Sequence, residues 1–170
     1  MKKTIYTLSI FLFFVFSIKT VSASHLLGGD LVFSCNGPGQ YTISLALYRD
    51  CNGIAPAGNQ TLTYSSATCN VSGTIQLASQ GAAVDITPLC PSQQSACDGS
   101  GTWGMQRYVY SGTLNLPPGC GDDWVLGWSQ CCRNGVINTL SGPSNQNMYI
   151  GALLDNTVNT PTCNSSPIFN

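Results

Sequence analysis

The chain has 170 residues, 43% hydrophobic and 8% charged, with a formal net charge of −1. Its three lysines, Lys2, Lys3 and Lys19, all lie near the amino end; beyond Ala23 only Arg49, Arg107 and Arg133 face seven aspartates, with no glutamate. That balance excludes the basic footprint of a nucleic-acid binder and a polybasic membrane patch, and it is poor material for charged surface helices.

Residues 1–23 read as a secretory signal peptide. Lys2 and Lys3 form its charged start, Ile5 to Ile18 its apolar run, and Val21-Ser22-Ala23 its small-residue cleavage site, giving a mature start at Ser24. As an uncleaved anchor the run is shorter than the ~20 apolar residues a span usually needs, and no later stretch could cross a membrane as a helix. What remains suits one domain, residues 24–160, with 161–170 as a linker to a downstream domain. His25 follows the cleavage point. An amino-terminal copper or nickel site there would require cleavage before Ala23, and the better site after Ala23 argues against it.

Leu31 to Cys35 is a short strand and Asn36-Gly37-Pro38-Gly39 a turn. In the next strand Tyr41, Ile43, Leu45 and Leu47 alternate with Thr42, Ser44, Ala46 and Tyr48, completing a hairpin. Its two flanking cysteines, Cys35 and Cys51, fall at opposite ends and are not expected to pair with each other. Residues 61–64 and 71–77 read as strands, and 82–89 as extended chain. Residues 90–104 read as a surface loop that a Cys90–Cys97 bridge would close. Arg107 to Leu116 is a strand, broken by Pro117-Pro118-Gly119.

The keystone comes next, Asp122 to Gly135, reading DDWVLGWSQCCRNG. Trp124, Leu126 and Trp128 share one face of a strand by the period of two, the expected core face. By the same alternation Cys131 and Cys132 point to opposite faces, which argues against a vicinal disulfide between them. Asn134-Gly135 is a turn signal. Met148 to Leu154 is the last strand. Seven or eight short strands with frequent turn signals indicate an all-β protein, an antiparallel β-sandwich of immunoglobulin- or cadherin-like kind, with a β-barrel as the alternative.

All nine cysteines follow the signal peptide, and disulfides are the expected state of Cys35, Cys51, Cys69, Cys90, Cys97, Cys120, Cys131 and Cys132. Their pairing does not follow from spacing. One bridge contributes about 2–4 kcal/mol, so several rival the whole stability of a small domain. Arg49 and Arg133 are expected to tie loop carbonyls or a carboxylate, with Arg49–Asp123 and Arg133–Asp50 as conceivable pairs. Asp122, Asp123 and Asp155 are weak candidates for Ca²⁺, since a hard cation takes oxygen ligands, but turn chemistry explains them better. No cofactor is called for. Among the aromatics, Trp103 follows a Gly/Ser loop and is the one expected to be exposed for ligand contact. With a single histidine at the terminus and aspartates mostly in turns, neither a Ser-His-Asp triad nor a glycosidase carboxylate pair is in view, so an enzyme is not expected.

Beyond residue 23 the chain resembles the N-terminal region of large secreted multidomain surface proteins of gliding Bacteroidetes. The resemblance rests on SHLLGGDLVFSC, YTISLALYRDC, YVYSGTLNLP, DWVLGWSQCCRNG and CNSSPIFN. It implies an adhesin-like surface role linked to gliding motility, with export by the type IX secretion route, although no sorting segment of that family is present in the sequence given. It also implies that the chain is the front of a longer protein, with Cys163 the unpaired cysteine awaiting a partner beyond Asn170. A stop directly after Asn170 would point to the periplasm instead. The functional expectation is a non-enzymatic structural or adhesion module meeting an extracellular glycan or protein. The alternative is a carbohydrate-binding module using exposed aromatics.

Overall fold

Two long strands, β1 (Leu26–Gly37) and β2 (Gln40–Asp50), form the opening hairpin. In a computed structural model, which describes residues 25–134, 137–157 and 163–167, they run further in both directions than their apolar alternation alone marks. The signal peptide expected over residues 1–23 lies outside the described residues. The remaining strands are β3 (Asn59–Ser66), β4 (Val71–Ser79), β5 (Val84–Asp85), β6 (Met105–Asn115), β7 (Trp124–Cys131) and β8 (Asn147–Leu154). Of the extended stretch expected over 82–89, the two residues of β5 pair with Arg107 and Gln106, and Ile86 N donates to the Met105 carbonyl at 2.9 Å.

The fold is all-β. One antiparallel sheet runs in the order β1-β2-β6-β4-β3-β7-β8, with β5 beside β6, and coils into a nearly closed, barrel-like shape. Alternation explains the interior. Tyr41, Ile43, Leu45 and Leu47 from β2 meet Leu62, Leu77, Tyr110 and Leu114, and Trp124, Leu126 and Trp128 from β7 complete the core as expected. Phe33 meets Tyr41 edge-on, with ring centroids 6.1 Å apart.

The buried Trp124, Trp128 and Tyr41 each find a partner for the polar tip, as the cost of burying an unpaired donor requires. The Trp124 indole donates to the Cys120 carbonyl at 2.7 Å, and that of Trp128 to Gln60 Oε1 at 3.0 Å. The Tyr41 hydroxyl donates to Asn156 Oδ1 at 3.1 Å, while Asn156 Nδ2 reaches the Pro117 carbonyl at 2.8 Å. Desolvation raises the Tyr41 hydroxyl above its ordinary pKa, with the Asp155 carboxylate adding to the rise.

The sheet closes at a seam between β1 and β8. Seven strands alternate along the path, so its two edges run the same way and cannot meet as an antiparallel pair. They meet by packing instead. A Cβ on Gly29 would lie 2.6 Å from the Ala46 carbonyl oxygen of β2 and 2.5 Å from Ile150 Cδ1 of β8, so a side chain here would strain the opening hairpin and push on Ile150 across the seam. Further along, residues 163–167 strap the free edge of β1. Ser166 N donates to the Phe33 carbonyl at 2.8 Å, Phe33 N to Ser166 Oγ at 3.0 Å, and Cys35 N to Ser165 Oγ at 2.9 Å. This part of the expected 161–170 linker is therefore fixed to the domain, because an edge strand's unpaired groups need partners.

Three disulfides tie distant parts of the chain together: Cys35–Cys163, Cys51–Cys97 and Cys69–Cys120. Cys35 and Cys51 do not pair with each other, as their positions at opposite hairpin ends require. Two expectations are corrected. Cys163 is bridged, and Cys90, expected to pair, is the free and exposed cysteine, so no Cys90–Cys97 bridge closes the loop. The fourth bridge is the vicinal Cys131–Cys132. Alternation argued against it, but β7 ends at Cys131, and Cys132 adopts φ +81°, off the strand. The left-handed residue breaks the period of two and brings both sulfurs to one side.

Candidate functional site

Ladder register places the loops that follow β2 and precede β6 at one end of the barrel, since Asp50 lies opposite Met105. A short 3₁₀ turn, Ala96–Asp98, organises them. Ser95 caps it, accepting from Cys97 N at 3.0 Å. Cys97 is in turn bridged to Cys51 at the end of β2. The 100–104 segment is pinned from both sides. Ala96 N donates to the Trp103 carbonyl at 3.0 Å and Gly101 N to the Ser95 carbonyl at 3.1 Å. Cys51 N donates to the Gly104 carbonyl at 3.0 Å, and Asn52 Nδ2 to that of Thr102 at 3.3 Å. Opposite, Gln93 N closes a turn on the Cys90 carbonyl at 2.9 Å.

Between these segments lies a cleft of about 640 Å³, with Pro91, Gln93 and Gln94 on one side and Ser100, Thr102 and Trp103 on the other. Trp103 is 43% exposed there, as expected from its loop, whereas Trp124 and Trp128 are buried. Pro91, Gln93 and Gln94 went unremarked as site residues in the sequence. The only sign of them is a run of uncharged polar residues after Cys90, which looks like any solvated loop.

A second cleft, of about 650 Å³, lies over β1, β2 and β6 beside the 163–167 strap. Several of its polar groups already have partners in the protein. The Tyr48 hydroxyl donates to Asp30 Oδ2 at 2.7 Å, and this bond, more than burial, raises the tyrosine above its ordinary pKa. Ser166 Oγ is held by Phe33 N.

Two of the three carboxylates considered for Ca²⁺ have other work. Asp123 accepts from the Ser66 hydroxyl and from Ala67 N and Thr68 N, each amide at 2.9 Å, so it caps the β3–β4 turn. Asp155 holds its own turn through Thr157 N at 2.8 Å. Asp122 is exposed. Among the described residues no group of three or more His, Cys, Asp or Glu is placed to hold a metal ion. The arginines also go to carbonyls rather than to the conceived carboxylates. Arg49 donates to the Cys51 carbonyl at 3.0 Å and lies over the Tyr108 ring, and Arg133 Nε donates to the Asn147 carbonyl at 3.1 Å.

Asp123 carries a pH prediction. Hydrogen bonds from the Ser66 hydroxyl and then the Thr68 amide hold its carboxyl below the ordinary range. A folded-state pKa below the unfolded value of about 3.9 means stability present above that value and lost as pH falls through the folded pKa. Asp123→Asn is therefore expected to melt below the native protein at pH 7, with the gap narrowing as pH falls below about 4. A melting series from pH 7 to 2 checks this, and equal melting temperatures at pH 7 would reject the capping role.

Gly121, with φ +76°, sits under this cap. A Cβ there would lie 2.8 Å from Cys69 Sγ and 2.9 Å from Asp123 Oδ1, so the cap and the Cys69–Cys120 bridge converge on a position only glycine fills.

Compared with protein-family models, curated proteins and solved structures, the chain gives no match. Among the described residues no helix is long and apolar enough to cross a membrane.

Proposed function

We propose that the chain is a non-enzymatic, exported structural or adhesion module of a cell surface. The observation that carries this reading is the set of long-range disulfides. Cys35–Cys163, Cys51–Cys97 and Cys69–Cys120 span 128, 46 and 51 residues and staple both ends of the barrel. Such bridges form and persist in oxidising compartments outside the cytosol. A barrel braced in this way, with charges confined to 8% of its residues, suits a rigid, polar module displayed in the medium. The expected signal peptide and the resemblance to surface proteins of gliding Bacteroidetes, with their type IX export, agree with this reading.

Cys90 provides the test, because it is the free thiol and is exposed. The purified folded protein is expected to take one maleimide, at Cys90, and Cys90→Ser to take none. On intact producing cells a membrane-impermeant maleimide is expected to label the same residue, and cells lacking the chain are expected to attach less to a surface. Labelling only after the envelope is opened would overturn surface display; undiminished attachment would overturn the adhesive role.

A further inference from the structure

We propose that the cleft between residues 89–94 and 100–103 binds a neutral saccharide. Three features of its walls lead to this ligand class. First, Trp103 is left 43% exposed on a loop held at both flanks, while the other two tryptophans are in the core. An indole offers a flat apolar face to the C–H face of a sugar ring and keeps a polar edge for water. Second, Gln93 and Gln94 line the same cleft and are exposed, and no hydrogen bond of their side-chain amides is formed among the described residues. Each amide carries an acceptor oxygen and two donor hydrogens, the complement of vicinal hydroxyls, which both donate and accept.

Third, no lining residue is charged. The neighbouring Asp98 is engaged by Ser100 N at 3.0 Å and Ser100 Oγ at 2.5 Å, so it anchors the turn. No charged side chain in the cleft would form an ion pair with a sulfate, a carboxylate or an ammonium group. Its volume falls in the range of small-ligand sites, about 300–1,000 Å³. The Cys51–Cys97 bridge and the four backbone anchors hold one wall before any ligand arrives, which lowers the ordering cost of binding. The second large cleft lacks this combination, because it has no tryptophan and its lining includes the charged Asp30 and Arg107.

The test is a glycan array carrying neutral, sialylated and sulfated saccharides, probed with the purified native protein, Trp103→Ala, Trp103→Phe and Gln94→Ala. The melting temperature of each variant is measured first. The native protein is expected to select neutral saccharides. Trp103→Ala is expected to weaken that binding about tenfold or more, Trp103→Phe less, and Gln94→Ala severalfold, each with native melting because both side chains are exposed. Should Trp103→Ala fail to fold, Gln94→Ala decides. A native protein that binds no saccharide, or prefers anionic ones, overturns the proposal, as does undiminished binding by the deciding variant. Retention of a proline-rich peptide in place of a saccharide overturns it too. Binding by purified protein is independent of where the chain resides, so surface labelling at Cys90 with a blank array would leave the adhesion reading standing and remove only this site.

Discussion

Trp124→Ala is expected to lower stability by about 3–5 kcal/mol, the range for removing a large aromatic from a core. The indole is fully buried, lies 6.2 Å from the Tyr64 ring between centroids, and donates to the Cys120 carbonyl. Truncation leaves a cavity at the end of the barrel where β7 begins and takes away that donor. The loss is a large share of the ~5–15 kcal/mol that stabilises a typical domain. Trp124→Phe separates the two contributions. It keeps most of the ring and forfeits the indole hydrogen bond, while the Cys120 carbonyl retains Asn156 Nδ2 at 3.3 Å. Phenylalanine should therefore cost a fraction of what alanine does. Urea unfolding monitored by near-ultraviolet circular dichroism reads both, and an alanine variant within about 1 kcal/mol of the native protein would contradict this account of the core.

Replacing Cys35 and Cys163 together by serine is the second large effect. Their bridge closes the longest loop of the three long-range bridges, spanning 128 residues, and the expected loss is about 2–4 kcal/mol, mostly through a less restricted unfolded chain. The folded state should change as well. Without its covalent tie the 163–167 strap is held by the hydrogen bonds of Ser165 and Ser166 to β1. Hydrogen exchange is expected to quicken at the backbone amides of positions 33 and 35, which face the strap, and to stay slow at Ile43 and Leu45 in the middle of β2. Unchanged protection at position 33 would mean that the strap stays docked without its bridge. If the unfolding midpoint also stayed put, the bridge would have no stabilising role.

Residues with strong local signals were legible in advance. The alternation of Tyr41 to Leu47 and of Trp124 to Trp128 set which faces are buried, because successive side chains on a strand point to opposite sides whatever the neighbouring strand is. Antiparallel all-β structure followed from such runs and their turns. The exposure of Trp103 followed from its Gly/Ser loop, and the turn roles of Asp123 and Asp155 were the better of their two readings.

Pairing across distance was a different matter. Cys90 and Cys163 exchanged their expected states because a disulfide depends on which backbones come within reach, and spacing along the chain carries no such information. The Cys131–Cys132 bridge was disfavoured because the strand's alternation was carried one residue too far, past the left-handed Cys132. The strapping of β1 by residues 163–167 likewise arises only once an edge strand has been left without a partner. By itself, the sequence determined the class of fold, the composition of its core and the disulfide chemistry open to it. Tertiary structure alone decided the strand order, the Gly29 seam, the bridges and the cleft that Gln93, Gln94 and Trp103 line, because each depends on segments that meet in space and not in sequence.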